Sequence, residues 1–201
     1  MKLRRILIQV TCRIIFGTGI AALLWVGANL VYAKAFQLYA LSSFGSKLQS
    51  QTELSDIGST PSQNLRNGDL VGRLHIPGAG LSVAVLEGIE DSTLGIAAGH
   101  IPGTSLPGAN GNVAIAAHRD SYFRALRDIE VGDTIEFATR KGTFRYFVTT
   151  TEVVAPSEIR VLASHGHAEL TLITCYPFSF LGTAPQRFIV HAQLQNESGP
   201  L

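Results

Sequence analysis

Between Arg13 and Lys34 the chain runs for twenty residues, Ile14–Ala33 (IIFGTGIAALLWVGANLVYA), without a formal charge. As a helix rising about 1.5 Å per residue, such a run spans roughly 30 Å, the thickness of one bilayer hydrocarbon core. A membrane helix over 14–33 is therefore predicted, and it confines the rest of the chain to its two sides. Lys2, Arg4, Arg5 and Arg13 place four positive charges ahead of the run, while the other twelve basic and fifteen acidic side chains leave the remainder at −3. That asymmetry predicts a cytoplasmic basic N-terminus over 1–13, with everything after the helix outside the cytoplasm. Trp25 and Tyr32 are candidate interfacial anchors. Ala33-Lys34-Ala35 has the small-x-small form of a cleavage site, but signal-peptide apolar cores run only about 7–15 residues. The reading is a retained signal anchor in a single-pass cell-membrane protein.

Residues 34–68 combine a mixed polar and apolar stretch with a Gly/Pro/Ser/Asn-rich one, and read as an extracytoplasmic stalk and linker. A folded domain is expected over 69–201. Twenty glycines and eight prolines favour turn-rich β structure over a helical bundle. A formal net charge of +1 gives no reason to expect nucleic-acid binding. The exported part holds one cysteine, Cys175, since Cys12 stands at the cytoplasmic edge, so a disulfide scaffold is excluded.

Short apolar or alternating runs punctuated by turn residues fill the domain. Strands are expected over 70–76, 81–86, 113–117, 134–138, 142–154, 170–174 and 188–194. Short helices are expected over 91–99 and 121–129, the second with Phe123, Leu126 and Ile129 on one face. Seven or eight short strands with little helix predict a mainly β domain, a closed barrel or a sandwich.

Cys175 closes the run Leu170–Thr174, just before Tyr176-Pro177-Phe178. A cysteine there is either a small buried apolar group or a nucleophile facing a bound peptide. A thiol, of reference pKa about 8.5, is mostly protonated near neutral pH and needs a neighbouring base or cation to act. His118 follows the strand 113–117 and is the first candidate; His100, at the end of another apolar stretch, is the second. His75 and His191 lie inside strands, and His165 and His167 in a polar loop. Their spacing hints at metal, but no C-x-x-C or H-E-x-x-H accompanies it, so no metal and no cofactor is expected. Arg187 opens the last strand; if 170–174 and 188–194 pair through the loop between them, it faces Cys175 and can serve a developing oxyanion, and otherwise it is a surface arginine.

Thr171-Leu172-Ile173-Thr174-Cys175 resembles the TLxTC signature of sortases, the cysteine transpeptidases of bacterial surfaces. The likeness extends over about residues 69–194. It takes in Gly99-His100-Ile101-Pro102-Gly103-Thr104, His118-Arg119-Asp120, Gly132-Asp133-Thr134-Ile135 and Ala184-Pro185-Gln186-Arg187-Phe188, and is nearest to class D; Ala117, where glycine is more usual, departs from it. The resemblance implies a closed sortase-like β-barrel. It implies Cys175 as nucleophile, His118 as acid and base, Arg187 as orienting and oxyanion-stabilising cation, and Thr174 as a substrate contact. In such enzymes the loop matching 155–169 lines the peptide groove, so Ile159, Val161 and Leu162 either meet the substrate or simply pack. Some sortases bind calcium, but Asp128, Glu130 and Asp133 read equally well as an exposed turn.

The implied reaction cleaves an LPxTG-like C-terminal sorting signal of a secreted protein through a thioacyl enzyme. It then joins that protein to an amine acceptor, such as a cell-wall peptide or a pilin lysine. Two other readings stand beside it. One is a cell-wall cysteine enzyme acting on peptidoglycan peptides; there the nucleophile follows Ser-His-Gly, whereas here Ser164-His165-Gly166 precedes His167. The other is a tethered β domain that binds peptides without catalysis. His118-Arg119-Asp120 alone also resembles a kinase fragment, but no Asn follows five residues after Asp120.

Overall fold

The structure is a computed structural model and describes residues 9, 11, 13–28, 31–32, 34–35, 65–180 and 182–195. The chain divides into two units, Met1–Phe36 and Gln37–Leu201. In the first, residues 13–28 are helical and exposed. Among the described residues no helix is long and apolar enough to cross a membrane. Asn29, Leu30 and Ala33 of the expected span, Cys12, and most of the expected linker lie outside the described residues.

In the second unit eight strands close a barrel. They are β1 (Leu70–Ile76), β2 (Leu81–Glu87), β3 (Ala98–His100), β4 (Gly111–Ala116), β5 (Thr134–Thr139), β6 (Gly142–Val154), β7 (Ala168–Tyr176) and β8 (Gln186–Leu194). Their order around the barrel is β1-β2-β3-β4-β7-β8-β6-β5. Closure pairs each strand on both sides over at least part of its length, which removes most free sheet edge.

Alternation decides what enters the barrel. Val113 and Ile115 of β4, Leu170 and Leu172 of β7, and Val190 of β8 are inside and buried. Burying each such side chain contributes roughly 1.5–3 kcal/mol. Tyr146 is fully buried among them, and its phenolic oxygen accepts the Gly108 N–H at 3.0 Å. A smaller cluster lies outside the barrel: Val154, Val161 and Ile189, with Leu162 and Ile173 against them.

Two local expectations need correction. The helix expected over 91–99 is a single turn, Asp91–Leu94, and the last two residues of that range, Ala98 and Gly99, belong to β3. This strand runs parallel to β2 and antiparallel to β4, and a Cβ on Gly99 would strike the Gly88 carbonyl, so glycine permits the close approach. The apolar face at 123, 126 and 129 is buried as expected, but on a 3-10 turn, Arg124–Asp128. Spacing of three residues suits three residues per turn.

Candidate active site

Strand direction brings the site together. β4 and β7 run parallel, with Ala116 beside Ile173, so both deliver their C-terminal ends to one rim. β8 runs antiparallel to β7 and begins at that rim, where Cys175 pairs directly with Arg187. Partners across antiparallel strands project to the same face. Leu170 and Leu172 point inward, so Ile173 and Cys175 point outward, and Ile189 and Arg187 share their face. The cysteine is therefore partly exposed on the outer surface of the barrel and is a free thiol.

His118 stands two residues beyond the end of β4 and is exposed. Two bonds fix the chain just before it. The Ala117 N–H donates to the Ile173 carbonyl at 3.2 Å, and the Thr174 hydroxyl donates to the Ala117 carbonyl at 2.8 Å. The His118 carbonyl in turn accepts from the Ser121 and Phe123 amides, at 3.4 and 3.0 Å. The segment leading to the histidine and the strand carrying the cysteine are thus adjacent and cross-linked. Thr174 itself is buried, with its hydroxyl engaged inside the protein.

The Arg187 guanidinium donates to the Gln186 carbonyl at 3.0 Å and the Ala184 carbonyl at 3.4 Å, within its own loop. An aromatic cluster braces the strand ends: Phe178 meets Phe188 edge-on at 5.3 Å between centroids, and Tyr176 packs on both rings. The Tyr176–Pro177 peptide, where β7 ends, is cis.

Arg119, which stood out in the sequence only as part of a short motif, crosses to the loop between β7 and β8. Its guanidinium donates to the carbonyls of Phe180 at 2.6 Å and Gly182 at 3.1 Å, and lies 5.8 Å from the centre of the Phe180 ring. It ties the segment after His118 to the segment after Cys175.

The three loop residues separate by burial. Val161 is buried against Val154 and Ile189, Leu162 is partly buried beside them, and Ile159 is 77% exposed. The remaining histidines are engaged elsewhere. His100 is buried, level with Ile115 across the β3–β4 pair, with Nδ1 2.6 Å from Glu87 and Nε2 2.9 Å from the Ser105 carbonyl, so both its ring nitrogens are already engaged. His75 approaches the Leu81 carbonyl, and His191 pairs with Glu152. His165 and His167 both pair with Glu169, and the described residues hold no cluster of three or more groups able to bind a metal.

Residues 74–195 match the sortase domain. The chain belongs to the sortase family. It is 32% identical over 127 residues to sortase D of Bacillus subtilis (strain 168), covering 63% of this chain and 64% of that protein. It is 28% identical over 130 residues to sortase A of Bacillus anthracis, covering 63% and 61%. The sortase chain thus spans a little under two thirds of the length of these curated relatives. Among solved structures, a sortase D5 transpeptidase from Clostridium perfringens superposes with a TM-score of 0.64 at 27% identity, over 81% of this chain and 98% of that one. Sortase C1 of Streptococcus suis superposes with a TM-score of 0.60 at 25% identity, over 64% and 74%. The eight-stranded barrel is the sortase fold.

Proposed function

We propose that this sortase is a membrane-anchored cysteine transpeptidase that cleaves an LPxTG-like C-terminal sorting signal and joins the secreted protein to an amine acceptor. The observation that carries the reading is the direct pairing of Cys175 with Arg187 at the rim where β4 also delivers His118. The Cys175 thiolate attacks the threonine carbonyl carbon. Negative charge gathers on the carbonyl oxygen, and Arg187 turns its guanidinium from its own loop carbonyls to that oxyanion. As the C–N bond breaks, the His118 imidazolium gives its proton to the departing amine, leaving a thioester. An incoming amine then attacks the thioester; His118 takes its proton, the C–S bond breaks, and a new amide is released. Exposed Ile159 meets the apolar end of the signal, with Leu162 beside it and Val161 supporting it from beneath. Thr174, expected at the substrate, instead serves the site from within, its buried hydroxyl fixing the backbone just before His118.

The uncharged run at 14–33, preceded by four basic residues, supports an N-terminal membrane anchor with the catalytic domain outside the cytoplasm. Donor and acceptor in such a reaction both lie at the membrane face. A cell-wall peptide cross-bridge or a pilin lysine supplies the amine.

A quenched LPxTG-type peptide with an added amine tests the reading. The parent chain is expected to release the fluorophore and form the amine adduct. Cys175→Ala abolishes both, and His118→Ala lowers the rate by about 10²–10⁴-fold. Peptide left intact across several motif variants counts against a transpeptidase, and binding without cleavage marks a peptide-binding domain instead.

A further inference from the structure

Three successive cross-strand pairs descend the outer face of the barrel from the rim: Cys175 with Arg187, Ile173 with Ile189, and Thr171 with His191. The first carries the chemistry. The second is apolar and is covered by the 3-10 turn Arg160–Leu162, through Val161 and Leu162. The third is polar and joins a chain of side chains reaching both ends of that turn.

At one end, the Glu152 carboxylate on β6 accepts from the Arg160 guanidinium at 2.6 and 3.2 Å. It also accepts from His191 Nε2 at 2.9 Å. On the other side of His191, Nδ1 lies 3.4 Å from the Thr171 hydroxyl, which donates to the Asn112 side-chain oxygen at 2.8 Å. The Asn112 amide then donates to the carbonyls of Val161 at 2.9 Å and Ala163 at 3.3 Å. Asn112 and Thr171 are both buried. Four strands, β6, β8, β7 and β4, thereby grip one short turn, by a side chain at its start and by backbone carbonyls at its end.

We propose that Glu152, His191, Thr171 and Asn112 are positioning residues that hold the β6–β7 loop as a preformed wall of the peptide groove. The inference rests on the sortase reading above, and names what organises that site. The buried Asn112 amide and Thr171 hydroxyl hold one geometry, because breaking the bond between them strands a polar group away from water. Ile159, exposed at the start of the turn, is then presented in a fixed place. A loop ordered in advance spares the peptide the entropy of ordering it, so loss of the clamp weakens binding and leaves the chemistry at the rim intact.

The test uses the full chain and four variants: Glu152→Gln, Asn112→Ala, Thr171→Val and Thr171→Ser. The amides of Leu162 and Ala163 donate within the turn and report its opening by hydrogen exchange. They are expected to exchange faster in the first three variants, while the β7–β8 ladder amides keep their protection. For a quenched LPxTG-type peptide, KM rises about fivefold to tenfold with kcat within about twofold. Thr171→Ser, which keeps the hydroxyl, restores both. A small methanethiosulfonate reagent modifies Cys175 at the parent rate throughout. Unchanged exchange in all three variants overturns the clamp. Faster exchange with an unchanged KM, or a loss confined to kcat, overturns its role in the groove. If the parent chain cleaves no sorting peptide, the functional reading falls with that role, and the exchange arm still decides whether these residues hold the loop.

Discussion

The hydroxyl of Thr174 donates to the carbonyl of Ala117 at 2.8 Å, so the residue before the cysteine holds the residue before the histidine. β4 and β7 are parallel neighbours, and this bond lies just beyond Ala116 and Ile173, the pair that ends their ladder. Thr174→Val keeps the shape and deletes the donor, leaving a buried carbonyl with one partner fewer. The expected cost is about 1–2 kcal/mol of stability. Because the bond sets where His118 starts, turnover is expected to fall roughly tenfold to a hundredfold with KM nearly unchanged. Thr174→Ser should recover most of the rate. Equal turnover in the valine and serine variants, measured by peptide cleavage, would remove this bond from the account.

Arg119 reaches two carbonyls of the β7–β8 loop and faces the Phe180 ring. Arg119→Ala is expected to lower kcat/KM about tenfold, since a charged group's hydrogen bonds contribute about 1.5–3 kcal/mol. Arg119→Lys should recover little, because a single ammonium lacks the planar fork and the stacking surface. Full activity in the lysine variant would show that charge alone suffices.

Tyr146 is sealed in the barrel, and burial raises the pKa of its phenol while the Gly108 N–H works in the opposite direction. Tyr146→Phe keeps the ring and removes the acceptor of that N–H. The expected loss is about 1 kcal/mol, read as a lower urea midpoint with an unchanged slope. An unchanged midpoint would mean that water replaces the phenol at no cost.

Glu152 has its pKa lowered, foremost by the hydrogen bonds from Arg160 and then by that from His191. A carboxylate whose folded value lies below its unfolded one contributes stability that is present above the unfolded pKa. That contribution is lost as the pH falls through the folded value. Protection of the Leu162 and Ala163 amides is therefore expected to hold at mildly acidic pH and to drop below the ordinary glutamate value of about 4.3. Glu152→Gln should begin with lower protection and lack that drop. The same acid-dependent drop in the glutamine variant would assign it to another group.

Much of the barrel was legible in local pattern. The limits of β1 and β6 match the expected runs residue for residue, because each alternates between faces and stops at a glycine, proline or loop cluster. β3 has no local signature, because three residues that gain their bonds only from β2 and β4 carry no periodicity of their own. The 3-10 turn at Arg124–Asp128 read as a helix because its apolar spacing of three serves both. His100 also stands at a strand end, and nothing local separates this buried, doubly engaged ring from the exposed His118.

The alternation that fills the barrel, the uncharged N-terminal run and the motif around Cys175 are all set by neighbours along the chain. Which distant groups meet is set by the fold. Parallel β4 and antiparallel β8 bring residues 118, 175 and 187 to one rim, and the same register brings Glu152, His191, Thr171 and Asn112 into one line. Cross-strand register depends on the order of strands around the closed barrel. That order is fixed by burying all the apolar faces at once, a condition no single segment carries.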